Sequence, residues 1–208
     1  AFMQPLRKVI SKLKLRASYG QVGNANLGGR RFAYLSTITD DYETLNMYKW
    51  GLDSSYGLTG MAEGEFAVQD LTWEIVNKMN LGVELGFLNG MIDLQLDYFD
   101  ERRKDIFMPR ESVPMTAGFM KQPWKNFGKV TNQGVEVSLN VNKQFGKDLF
   151  VSLMGTFTYA HNEITEKDEP SAVVGTNRAE TGHPVGQLTG YIAEGLFTAD
   201  DFEDVSTG

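Results

Sequence analysis

The sequence predicts an all-β chain whose antiparallel strands form a segment of a transmembrane β-barrel. Apolar and polar residues alternate over several long stretches, as they do in a strand with two different faces. Tight turns and long loop-like segments also alternate along the chain, which is typical of outer-membrane barrels. Helical periodicity is hard to find, and no apolar run approaches the roughly 18–20 residues of a transmembrane helix.

Composition excludes several classes of function. The chain has 208 residues, a formal net charge of -7 and no cysteine. The acidic balance argues against a nucleic-acid partner, because phosphate binding needs a clustered basic face. Without cysteine there are no disulfides, thiolate zinc sites or cysteine nucleophiles. We expect no cofactor.

The strongest strand signal lies in residues 80–100. Apolar residues alternate with polar ones over 81–87 and again over 92–98. Asn89-Gly90 between them favours a type I′ hairpin, because both central residues of that turn have positive φ. An earlier strand is predicted over 13–19 by the same alternation.

A second hairpin is predicted around a turn at 143–148, with arms over 135–141 and 149–159. The segments 101–133 and 163–187 are predicted to be long loops. Short turns at one end and long loops at the other indicate periplasmic turns and extracellular loops.

Alternation alone does not separate a membrane barrel from a soluble β-sandwich, in which one face packs on a core and the other meets water. Strand length and aromatic residues near strand ends favour the membrane, since aromatic girdles mark both interfaces. High β-propensity is the other explanation for these aromatics. They are Tyr19, Phe87, Tyr98, Phe99, Phe157 and Tyr159.

Five segments, in order along the chain, resemble motifs of SusC/RagA-type TonB-dependent transporters. They read LRASYGQVGN (15–24), DLTWE with NLGVE (70–84), LDYFD with KD (96–105), NFGKVTNQGVE (126–136) and GHPVG with GYIAEGLF (182–197). One departure is Ile75-Val76, where the family usually has a polar pair.

The resemblance implies that residues 1–208 are part of a barrel domain of about 22 strands, with no plug domain present. The chain opens at Ala1 without the pattern of a signal peptide. We therefore expect a mature chain or an internal piece of a longer polypeptide.

The resemblance also implies a function. We expect no enzyme but part of a transporter in the outer membrane of a Gram-negative bacterium, importing a large nutrient, either an oligosaccharide or a peptide. Its expected partners are a SusD-like surface lipoprotein as lid, the TonB complex through the N-terminal part, and outer-membrane lipid. The short basic run Arg102-Arg103-Lys104 is expected at a hydrated strand exit that touches lipopolysaccharide.

Two sets of residues are candidates for the transport path. Polar residues on the predicted strands are expected to face the lumen: Glu84, Asp93, Gln95, Asp97, Glu136, Ser138 and Asn140. Aromatic residues of the predicted extracellular loops are candidates for contact with substrate or lid: Tyr42, Tyr48, Trp50, Trp124 and Phe127.

Neither a catalytic nor a metal site is predicted. Asp93 and Asp97 share a strand face, and paired carboxylates can hydrolyse glycosidic bonds, but their predicted depth inside the wall gives a glycan poor access. His161 and His183 are the only histidines and have no third ligand at metal-site spacing.

Two alternative functions fit the pattern less well. One is an autonomous small outer-membrane barrel, porin-like or adhesin-like, which would conduct ions as a purified monomer. The other is a soluble glycan-binding β-sandwich, which would bind sugar without detergent.

Overall fold

One antiparallel sheet of five long strands dominates the computed structural model, which describes residues 9–39, 48–52, 56–58, 60–193 and 195–196 (side chains at 48–50 and 56–58 excepted). The strands are β1 (Ile10–Asn24), β2 (Ile38–Thr39), β3 (Tyr48–Trp50), β4 (Tyr56–Leu58), β5 (Ala62–Glu63), β6 (Glu74–Phe87), β7 (Ile92–Pro109), β8 (Trp124–Phe145) and β9 (Leu149–Glu166). The main sheet has the order β1-β6-β7-β8-β9, and β2 pairs with β5 and β3 with β4.

Tight turns join β6 to β7 and β8 to β9 at the same end of the sheet, called here the turn end. The first turn confirms the prediction from Asn89-Gly90: Asn89 has φ 56° and ψ 37°, and Gly90 has φ 86°. Met91 N–H donates to the carbonyl of Leu88 at 3.3 Å, which closes the type I′ turn. The second turn consists of residues 146–148, with Gly146 at φ 65°.

The opposite end, called here the loop end, carries the long connections 25–73 and 110–123 and the segment after β9. The predicted loops at 101–133 and 163–187 were too long, because β7 runs on to Pro109, β8 starts at Trp124 and β9 ends at Glu166. Beyond Tyr98 polar residues occupy both faces, so alternation stops. The backbone ladder needs no alternation, and cross-strand ion pairs such as Lys78–Glu101 at 2.8 Å support it.

The sheet has an apolar face and a polar face. The apolar face is built from aligned rows across all five strands, for example Leu15, Val83, Leu96, Val137 and Phe157. Leu15 is 73% and Phe157 60% exposed. No second sheet covers this face within the described part of the chain, as a β-sandwich would require.

Tyrosines border the apolar face on its loop-end side. Tyr98 and Tyr159 lie in one row, and Tyr19 lies one row nearer the loops. Phe99 does not join them, because it lies on the polar face against Gly134. Within the described ranges, no helix is long and apolar enough to cross a membrane.

Candidate functional site

All seven polar residues predicted to line the lumen lie on the polar face, in three successive rows near the turn end. Asp93 pairs with Asn140, Gln95 lies between Glu84 and Ser138, and Asp97 pairs with Glu136. Side chains of paired residues point to the same side of a sheet. The strand alternation therefore places these residues on one face, and their position in a lumen stays a prediction.

Arg16 crosses β6 to reach Asp97. Both residues are register partners of Gly82, on either side of it. Arg16 Nη2 donates to Asp97 Oδ1 at 2.8 Å and to Oδ2 at 2.9 Å. A Cβ atom on Gly82 would collide with the Asp97 carboxylate and stand 3.0 Å from Arg16 Nη2. The glycine therefore provides the gap in which the ion pair forms.

Glu84 is the centre of a cationic cluster beside this pair. Its carboxylate lies 2.8 Å from Lys12 Nζ, 3.1 Å from Lys14 Nζ and 3.2 Å from Arg16 Nε. Asp97, only 8% exposed, also accepts a hydrogen bond from Gln95 Nε2 at 2.8 Å. The polar face thus carries a connected charge network that joins β1, β6 and β7.

The predicted aromatic contacts lie in different places. Tyr42 is outside the described residues, and Tyr48 and Trp50 are described only as backbone of β3. Trp124 and Phe127 are part of β8, so their placement in a loop was wrong. Trp124 pairs with Pro109 of the extended β7, and Phe127 lies at the register shift between Asn126 and Gly128. Their contact with substrate or lid stays a prediction.

Trp124 helps to join two loop-end segments. The guanidinium of Arg30, in the β1–β6 connection, lies 4.3 Å from the Trp124 ring centroid, a cation–π contact. Glu65 binds both Arg30, at 3.4 Å, and Lys121, at 3.1 Å. The hydrogen bond from Lys121 outweighs burial and holds the pKa of Glu65 below its usual value.

A second junction links residues 110–112 to the segment after β9. Asp168 is 8% exposed and accepts hydrogen bonds from Arg110 Nε at 2.8 Å, Ser112 Oγ at 2.9 Å and Ser112 N–H at 3.2 Å. Burial alone would raise the pKa of Asp168, but these hydrogen bonds together with the Arg110 charge hold it below its usual value. The Arg110 guanidinium also lies 5.6 Å from the Phe127 ring centroid.

The remaining chemical candidates are part of the sheet itself. Arg102 and Arg103 lie inside β7 rather than at a strand exit, and pair with Asp100 and Glu74 at 3.0 Å each. His161 lies on β9. Among the described residues, no group of three or more His, Cys, Asp or Glu side chains is arranged to hold a metal ion.

Sequence reasoning missed Arg16 and Asp168. Arg16 alternates with Leu15 and Ala17, so its face was predictable, and Gly82, on the polar face of β6, marked a gap. The register of β1 on β6 was not predictable, because 49 residues (25–73) separate the two strands. No local signal pairs Arg110 with Asp168, which are 58 positions apart.

Comparison with known proteins places the whole sheet in one family. Residues 6–200 match the family model described as TonB dependent receptor-like, beta-barrel. TonB-dependent receptor SusC of Bacteroides thetaiotaomicron is 34% identical over 161 residues, covering 76% of this chain and 15% of the relative. TonB-dependent receptor P39 of Formosa agariphila is 28% identical over 193 residues, covering 92% and 17%. The chain thus spans less than a fifth of these relatives.

Solved structures agree. The RagAB peptide importer in its open-open state aligns with a TM-score of 0.60 at 25% identity, over 82% of this chain and 16% of that one. Its closed-closed state gives 0.61 at 25% identity, over 85% and 18%. These similarities make the open sheet part of an outer-membrane barrel wall. The chain belongs to the TonB-dependent receptor family and forms part of its β-barrel domain.

Proposed function

We propose that this chain is part of the wall of a TonB-dependent transporter that imports a large nutrient across the outer membrane of a Gram-negative bacterium. The observation that carries the proposal is the division of the sheet, from the turn end as far as Tyr98, into an apolar face and a charged polar face. In a membrane barrel the apolar face meets lipid and the polar face lines the lumen. The turn end is then periplasmic and the loop end extracellular.

In this arrangement the polar face supports the contents of the lumen rather than catalysing a reaction. The charge of Arg16 is shared between the carboxylates of Asp97 and Glu84, and Asp97 is nearly buried. Glu84, Asp93, Gln95, Asp97, Glu136, Ser138 and Asn140 are proposed as lumen residues. The proposed partners are a SusD-like lipoprotein lid, the TonB complex, lipopolysaccharide and the nutrient, an oligosaccharide or a peptide. Trp124 and Phe127 are proposed to support loops that meet the lid.

The test is uptake by the full-length protein in its own bacterium. Deleting the gene should abolish growth on one complex nutrient, offered as an oligosaccharide or a peptide mixture, while growth on the corresponding monomer persists. Loss of TonB should have the same effect, and an affinity tag on the transporter should recover a surface lipoprotein. Undiminished uptake of every complex nutrient in the deletion strain would overturn the proposal.

A further inference from the structure

The polar face changes character at the loop end. Val76, Arg103, Val130 and Ile164 form one row across β6 to β9, on the same side of the sheet as Glu84 and Asp97. Three of the four are aliphatic, and Val76 and Ile164 are each 7% exposed. An apolar row on the polar face departs from the pattern of the rest of the sheet. Val76 belongs to this row, and SusC/RagA-type transporters usually have a polar residue at that position.

A pocket of about 470 Å³ lies over this row, within the usual volume range of ligand sites. We call it the loop-end pocket. Ile106 and Met108 extend its apolar surface, and polar side chains of the strands also line it: Glu101, Lys129, Asn132, Asn162 and Glu166. Lys167, Glu180 and Val185 contribute from the segment after β9.

The segment over the pocket is fixed to the sheet. Ile164 N–H donates to the carbonyl of His183 at 2.9 Å, and Gly182 N–H donates to the carbonyl of Ile164 at 2.8 Å. Val185 N–H donates to Asn162 Oδ1 at 2.7 Å. The Asp168 junction holds the start of the same segment. The pocket is therefore preformed, so a ligand would not have to order it, which lowers the cost of binding.

The lining indicates what the pocket binds. No aromatic side chain lines it within the described part of the chain, so it lacks the flat surfaces on which sugar rings stack. Charges of both signs lie at its rim within ion pairs: Arg103, with a half-exposed side chain, pairs with Glu74 at 3.0 Å. Glu180, 57% exposed at the side chain, pairs with Lys167 at 2.9 Å. Sugars carry neither charge and a fatty acid carries only a negative one, whereas a peptide presents aliphatic side chains together with both charges.

We propose that the loop-end pocket is a peptide subsite that receives an aliphatic side chain, with the charges of the peptide joining the Arg103–Glu74 and Lys167–Glu180 ion pairs at its rim. The assignment rests on the proposed import function and narrows its substrate class to peptides. It places the first selection of cargo at the extracellular mouth of the lumen.

The test uses the full-length transporter with its lipoprotein partner, in detergent, and three probes. These are fluorescent Lys-Gly-Leu-Gly-Gly-Glu, the same hexapeptide with Gly in place of Leu, and fluorescent maltohexaose. Burial of one leucine side chain predicts that the Leu peptide binds about ten- to a hundredfold more tightly than the Gly peptide. Val76→Trp, which fills the pocket, should abolish this ratio. Ile75→Trp, one residue away on the other face, should keep it.

Two further variants test the pocket if Val76→Trp does not fold. Val76→Thr keeps the shape of the side chain but makes the floor polar, and should lower the Leu/Gly ratio several-fold. Glu180→Gln should weaken both peptides equally. Equal binding of the two peptides to the wild type, tighter binding of maltohexaose, or an unchanged ratio in Val76→Thr would overturn the assignment. TonB-dependent uptake in the bacterium is measured separately. If the wild type shows no such uptake, the import function is contradicted. If uptake is present but the Leu/Gly ratio of Val76→Thr equals that of the wild type, only the pocket assignment is contradicted.

Discussion

Arg16 and Asp97 form an ion pair across an intervening strand, in which Arg16 Nη2 donates to both carboxylate oxygens and Gly82 lies directly beneath the contact. Side chains of a strand normally contact only the side chains of the strands directly beside it. Here the missing side chain at Gly82 lets a guanidinium on β1 reach a carboxylate on β7. The pair therefore locks the register of three strands at once.

Replacing Gly82 by alanine should destabilise the barrel. The new methyl group would push Asp97 away from Arg16, and overpacking of this kind costs about 1–3 kcal/mol. We expect the full-length protein to lose its heat-modifiable migration on gels at a lower temperature. Gly20→Ala is the matched control, because a Cβ there meets nothing within 4 Å. Equal transition temperatures for the two variants would contradict the role given to Gly82.

Arg30 should hold the β1–β6 connection against the start of β8. Arg30→Ala removes the contact with Trp124 and the ion pair with Glu65, so cleavage by added protease near residues 25–37 should accelerate several-fold. Arg31→Ala changes the charge equally at an exposed neighbour and should leave the rate unchanged. Similar acceleration in both variants would show that charge alone protects the segment.

The Asp168 junction should weaken in acid. Because the pKa of Asp168 is lowered in the folded protein, its contribution is fully present above the ordinary value of 3.8 and is lost as the pH falls through the lowered value. Hydrogen exchange of residues 167–187, corrected for intrinsic rates, should be slower in the wild type than in Asp168→Asn at neutral pH. The difference should vanish in strong acid.

Two controls accompany that measurement. Asp148→Asn, in the turn at the opposite end of the sheet, should not alter exchange in this segment at any pH. A difference between wild type and Asp168→Asn that persists unchanged in strong acid would show that the carboxylate charge is not what ties the segment down.

Alternation was sufficient to predict the two hairpins, the Asn89-Gly90 turn and the face of every candidate lumen residue, because those properties depend on neighbours in sequence. It failed along β7 at 100–105, where both faces are polar and only the backbone pairing continues. The partners of Arg16 and Asp168 depend on register between strands far apart in sequence. The apolar row with Val76 was visible only once four strands were aligned.

The apolar face of the sheet is proposed to meet lipid, and the polar face is proposed to meet the lumen. The chain has no cysteine, so single cysteines can be placed at Val137, Ser138, Leu139 and Asn140 on β8 in the full-length transporter, if any cysteines elsewhere in it are first replaced. Each is labelled with a small fluorophore in vesicles containing brominated lipid. Quenching should be strong at 137 and 139 and weak at 138 and 140. Uniform quenching, or strong quenching at 138 and 140, would contradict the account.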